Sequence, residues 1–128
     1  MSFEEAEILR KRANSFLRNA ERLMEEGEWN LAAFNLEQYC QLTLKHKLLI
    51  RRGSYPRTHS LRTLIRILAQ DNPQILELVE DEKYLHYTAR LEEAYIASRY
   101  LPYNYEKKEV TDLHKYVIEV FKPHVEKL

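Results

Sequence analysis

Apolar residues recur with helical spacing along most of the chain. Ala6, Leu9, Ala13, Phe16, Leu17, Ala20, Leu23 and Met24 fall on one stripe, which predicts an amphipathic helix over residues 3–26. Ser2 and Glu5 have the spacing of a capping box at its start, and Gly27 marks its end. A second stripe, Trp29, Ala32, Ala33, Leu36, Cys40, Leu44 and Leu48, predicts a helix ending near Arg52, with Gly53 just past the last turn. Leu31, Phe34, Leu42 and Leu49 widen this stripe, so the second helix should be buried on more than one side. The short connection makes the two helices antiparallel neighbours.

Residues 53–58 read as a loop, because Pro56 lacks an N–H and steers Tyr55 away from helical geometry. Thr58 is the expected N-cap of a short helix carrying Leu61, Leu64, Ile65 and Leu68 on one face. Asn72-Pro73 starts a further turn or two through Ile75, Leu76 and Val79. A long helix over about 81–99 places Tyr84, Tyr87, Thr88, Leu91, Ala94, Tyr95 and Ser98 on one stripe and breaks at Leu101-Pro102. A last helix over about 109–127 uses Val110, Leu113, Val117, Val120 and Phe121, and Pro123 is expected to bend or end it. The pattern predicts an all-α, antiparallel up-and-down bundle of about five helices with one short crossing helix, as a single domain over 1–128.

Composition agrees with that picture. Two glycines and four prolines are too few for the turns of an all-β fold. The single cysteine, Cys40, excludes a disulfide within the chain and a cysteine-based zinc cage, and its place on a buried stripe makes it a small core residue. The five histidines form no HExxH pair and the two glycines build no phosphate loop, so neither a metal nor a cofactor is expected. No apolar run approaches the roughly 18 residues of a membrane span. The acidic start lacks the order of a signal peptide. These features predict a soluble, cytoplasmic protein with no membrane partner.

Charge changes the picture more. The formal net charge is zero, yet residues 38–70 contain no acid against seven bases, while 71–93 hold seven acids and two bases. That segregation predicts a positive patch facing a negative one. Arg51, Arg52, Arg57 and His59 crowd the junction between two helices, and Arg62 and Arg66 continue the face beyond Thr58. Guanidiniums and the free N–H groups of a helix start suit phosphate, although a solvated basic face with Thr58 and His59 as caps explains the same residues. Six tyrosines lie between positions 84 and 105. Tyr84, Tyr87 and Tyr95 are expected to pack in the bundle. Arg99-Tyr100, at a helix end, could hold a phosphate and stack a base.

Three segments stand out together: Trp29–Cys40, with its aromatic and small residues before Gln38, then Pro56-Arg57-Thr58-His59-Ser60-Leu61, and Ala97-Ser98-Arg99-Tyr100-Leu101-Pro102. In their order and spacing they resemble the HEPN family (higher eukaryotes and prokaryotes nucleotide-binding domain). The resemblance covers nearly the whole chain. It implies a helical bundle, commonly a homodimer, whose cleft binds nucleotide or RNA and which often partners a minimal nucleotidyltransferase as a toxin–antitoxin pair. On that basis Arg57, Thr58, His59, Arg62, Arg99 and Tyr100 are the expected phosphate- and nucleotide-binding residues. Many members of the family are metal-independent ribonucleases with an arginine and a following histidine separated by four to six intervening residues. Arg99 matches that arginine, but Asn104, Tyr105 and Glu106 follow where the histidine would stand. Arg52 and His59 have the spacing, and are the expected catalytic pair if the chain cuts RNA. A structural dimerisation module without a ligand is the further alternative.

Overall fold

A computed structural model of the chain describes residues 3–128, so the expected cap at Ser2 lies outside the described residues. Helices α1 (Phe3–Glu25) and α2 (Trp29–Arg52) form the longest pair. Their turn is set by Gly27 in the left-handed region at φ 75°. The Gly27 N–H donates to the Met24 carbonyl and the Glu28 N–H to the Leu23 carbonyl, a doubly bonded helix end that an L side chain would strain. Gly53 ends α2 in the same conformation, its N–H donating to the Leu49 carbonyl.

Helix α2 is the centre of the bundle. Ala32, Ala33, Leu36, Cys40, Leu44 and Leu48 are fully buried. It packs against α1, against α3 (Leu61–Ala69) and α5 (Glu82–Tyr100), and against α6 (Lys107–Tyr116). Of the extra apolar positions seen in the sequence, Leu49 is buried, Phe34 and Leu42 are half-buried and Leu31 is exposed, and Asn35, Glu37, Tyr39 and Gln41 complete the multi-sided burial. The described residues contain helices and connections but no strand. The fold is an all-α helical bundle, with α3 as the short crossing helix.

Three boundaries differ from the sequence-based expectation. Ser60, not Thr58, caps α3: its hydroxyl accepts from the Thr63 N–H, and the Thr58 hydroxyl instead accepts from the Ser60 N–H in the preceding turn. After a 3₁₀ turn at Pro73–Leu76 and the single-turn helix α4 (Glu77–Glu80), Asp81 caps α5 by accepting from the Tyr84 N–H. The last helix starts at Lys107, two residues early, because Glu106 and Glu109 form a capping box. Nor does Pro123 end it. The backbone widens into a π turn over Val117–Phe121 before α7 (Lys122–Glu126), which accommodates the missing N–H and keeps Phe121 and Val125 in the core.

Side chains tie the layers together. The Thr88 hydroxyl donates to the Leu78 carbonyl and lies 2.7 Å from the Tyr116 hydroxyl, linking α4, α5 and α6. Tyr84 and Tyr87, expected to pack in the bundle, do so against the Tyr116 ring.

Candidate functional site

The loop between α2 and α3 is built from short-range bonds. The Thr58 N–H donates to the Pro56 carbonyl at 3.0 Å and the Ser60 N–H to the Thr58 hydroxyl at 3.1 Å. These turns carry His59 outward onto the Tyr95 ring of α5, with centroids 4.4 Å apart and planes 11° from parallel. Tyr95 is therefore not a plain bundle tyrosine: it is half-buried and works as a platform.

Arg99, one turn further along α5, meets the same ring. Its guanidinium carbon lies 4.9 Å from the Tyr95 centroid, 4.2 Å from Phe34 and 4.7 Å from Tyr100. Nε and Nη2 donate to the Tyr95 carbonyl and Nη1 to the Tyr100 hydroxyl. A guanidinium has five N–H groups, so two remain uncommitted. Three aromatic faces hold the cation electrostatically while Arg99, Tyr100 and His59 stay exposed.

A buried polar line runs beneath this surface on α2. Glu37 is fully buried and accepts 2.8 Å hydrogen bonds from the amides of Gln38 and Gln41. Lys45 donates to the Gln41 side-chain oxygen at 2.9 Å and stands 5.4 Å from the Tyr55 ring centroid. Burial pushes the Glu37 carboxyl up to about 7, against the opposing pull of the two amides and of the Lys45 and Arg99 charges. Phe34, Gln38, Gln41 and Lys45 recur every three or four residues and so share one face of α2. Glu37, Gln41 and Lys45 had no role assigned from the sequence, and Gln38 entered only through the family resemblance. Their i, i+4, i+8 spacing (Glu37, Gln41, Lys45) inside an otherwise buried helix was the available signal.

The other expected site residues separate. Arg62 is held by Glu92: its guanidinium donates at 2.8 Å, and its N–H and the Ser60 hydroxyl donate to the same carboxylate at 3.1 and 3.0 Å. The N-terminus of α3, read from the sequence as open to a phosphate, thus already carries an internal anion. Burial pushes the Glu92 carboxyl up, but these donors outweigh it and hold it below the usual carboxylate range. Arg52 pairs with Asp71 at 3.1 Å and Gln70 at 2.8 Å, beyond the C-terminal end of α3, whereas His59 precedes its N-terminal end. Nine helical residues separate those ends by roughly 13 Å, and Arg52 and His59 are engaged at opposite ends of α3. The expected opposition of basic and acidic segments is real, and it consumes Arg52 and Arg62. Arg57 is exposed and forms no hydrogen bond or ion pair among the described residues.

His114 and His124 contact Glu21 and Glu77, and His46 contacts the Ala6 carbonyl. Among the described residues no group of three His, Cys, Asp or Glu side chains could hold a metal ion.

The chain is thus an all-α bundle with an aromatic-caged arginine and a stacked imidazole at one surface. The family model for the HEPN domain matches residues 6–128, and the chain belongs to that family. Membership makes its function nucleotide- or RNA-related, in a family that is often dimeric. No curated protein matches the chain. Among the described residues no helix is long and apolar enough to cross a membrane.

Proposed function

We propose that this chain is a nucleotide- or RNA-binding HEPN domain that acts as a homodimer with a separately encoded minimal nucleotidyltransferase, in a toxin–antitoxin-like pair. One observation carries the binding reading: Arg99 is caged by Phe34, Tyr95 and Tyr100 with donors still free, beside His59 stacked on the same Tyr95. Arg99 contacts phosphate, Tyr100 and His59 offer faces to a base, and Arg57 adds charge from the loop. Thr58 forms the turn that presents His59. Arg62, neutralised by Glu92, holds α3 in place rather than meeting ligand. The dimer is supported by the exposed apolar side chains Ile96, Leu101 and Tyr103 on and just past the last turns of α5.

Titration of ATP and of a short labelled RNA against wild type, Arg57→Ala and Arg99→Ala tests the reading at low salt. Arg99→Ala should weaken binding at least about tenfold. Arg57→Ala should weaken it less and lower the salt dependence by about one phosphate contact. Absence of binding by the wild-type protein overturns the proposal. Copurification with the product of an adjacent nucleotidyltransferase gene tests the partner.

A second reading rests on the same juxtaposition. An imidazole and a guanidinium over one ring supply a general base for a 2′-hydroxyl and a stabiliser of phosphate charge, the parts of a metal-independent endoribonuclease. It predicts RNA cleavage in EDTA that disappears in both His59→Ala and Arg99→Ala. Cleavage that persists in either variant excludes it.

A further inference from the structure

The opposite side of α2 carries a second cationic feature. Tyr39, Thr43, His46 and Lys47 face away from the Phe34–Gln38–Gln41–Lys45 line, by the 100° step of a helix. There they meet α1 and α7 around a cleft of about 220 Å³ lined by Arg10, Asn14, Thr43, His46, Lys47 and Lys122. Only one acid, Glu126, shares the lining, and it forms a long ion pair with Lys122 at 3.9 Å. Arg10 is paired with Glu7 on one edge of its guanidinium, leaving the other edge free. Lys47 is half-buried and forms no hydrogen bond or ion pair among the described residues. Burial and the neighbouring Arg51 act against its charge, and Glu126 opposes them only in part. Three cations from three elements thus share this lining with a single carboxylate, and the Lys47 charge in excess would be relieved by an anion.

We infer that this cleft is a phosphate-binding site, distinct from the Arg99–His59 surface, and that it takes a terminal phosphate or pyrophosphate group. Its volume lies below the roughly 300–1,000 Å³ of pockets that enclose drug-sized ligands, so it holds the phosphate end of a molecule rather than a whole nucleotide. Lys47, Lys122 and the free edge of Arg10 supply charge, and Asn14 and Thr43 supply neutral polar groups. Two sources share this chemistry: the phosphate tail of a free nucleotide and the 5′-phosphate of an RNA.

Calorimetric titration with inorganic pyrophosphate at low ionic strength tests the site. Wild-type protein should bind saturably, and its melting temperature should rise with ligand concentration. Lys47→Gln and Lys122→Gln, each checked for native helical circular dichroism, should weaken binding at least about tenfold. Arg99→Ala should retain it. ATP displaces pyrophosphate if free nucleotides use the cleft. Displacement by a 5′-phosphorylated but not a 5′-hydroxyl RNA marks RNA ends as the source. The inference fails if wild type shows no saturable binding, or if binding survives in both lysine variants. Loss in Arg99→Ala with retention in Lys47→Gln also overturns it, by moving the anion to the other surface.

Discussion

The N-terminal end of α3 and the C-terminal end of α5 each place an arginine beside a helix terminus, and the two arginines meet opposite fates. At α3, Glu92 arrives from α5 and bonds Ser60, the Arg62 N–H and the Arg62 guanidinium, closing the terminus with an internal anion. At α5, Arg99 is surrounded by rings, which steady a cation without neutralising it. Whether a basic residue is structural or available is decided by what reaches it from another element, not by its own identity. The acid-free segment 38–70 therefore overstates the free positive charge.

The largest test of this contrast uses pH, because the carboxylates near the two ends titrate with opposite signs. Glu37, under Arg99, keeps its proton in the folded protein up to about pH 7. Between the ordinary carboxylate range and pH 7 the unfolded chain holds fewer protons than the native one, so stability falls as pH rises. Glu37→Gln should remove that fall and exceed wild type by up to about 3 kcal/mol above pH 7 in urea denaturation. Glu92 is held below the usual range, so its contribution is present above that range and is lost as pH falls through the depressed value. A Glu37→Gln variant with an unchanged stability profile would show that the buried carboxyl is not protonated.

Glu92→Ala should cost about 2–3 kcal/mol, since three donors lose one acceptor. Denaturant midpoints measure this. The milder Glu92→Gln sharpens the comparison: it frees Arg62, so RNA affinity at low salt should rise. An unchanged affinity would mean that Arg62 lies outside the binding surface even when released. Arg99→Ala should show the reverse pattern, with stability reduced by less than about 1 kcal/mol while binding weakens. Smallest of all, Ser60→Ala should cost about 1 kcal/mol and Thr58→Ala less, because only Ser60 caps the helix. Equal costs would restore Thr58 as the cap.

Much of the fold was legible from local pattern. The two glycines stop α1 and α2 where the sequence places them, and Leu101-Pro102 breaks α5. Boundaries failed where several residues could do one job. Thr58 and Ser60 are both competent caps, and the turn made by Pro56 selects the second. Pro123 reads as a bend or a stop, and the burial of Phe121 and Val125 favours a widened turn over an end. At the candidate site, the resemblance pointed to His59, Arg99 and Tyr100, which the fold gathers at one surface. Tyr95, Phe34 and Glu37 became visible only through contacts between α2, α5 and the loop.

By itself the sequence determined the helical class, the order of the helices and the residues able to carry positive charge, because periodicity, turn chemistry and ionisation are local properties. Tertiary structure alone decided which charges stay free. Arg62 and Arg52 found carboxylates brought from distant positions, Arg99 found rings, and Lys47 found other cations. Electrostatic energy depends on distances across the bundle, and no spacing along a single helix encodes them.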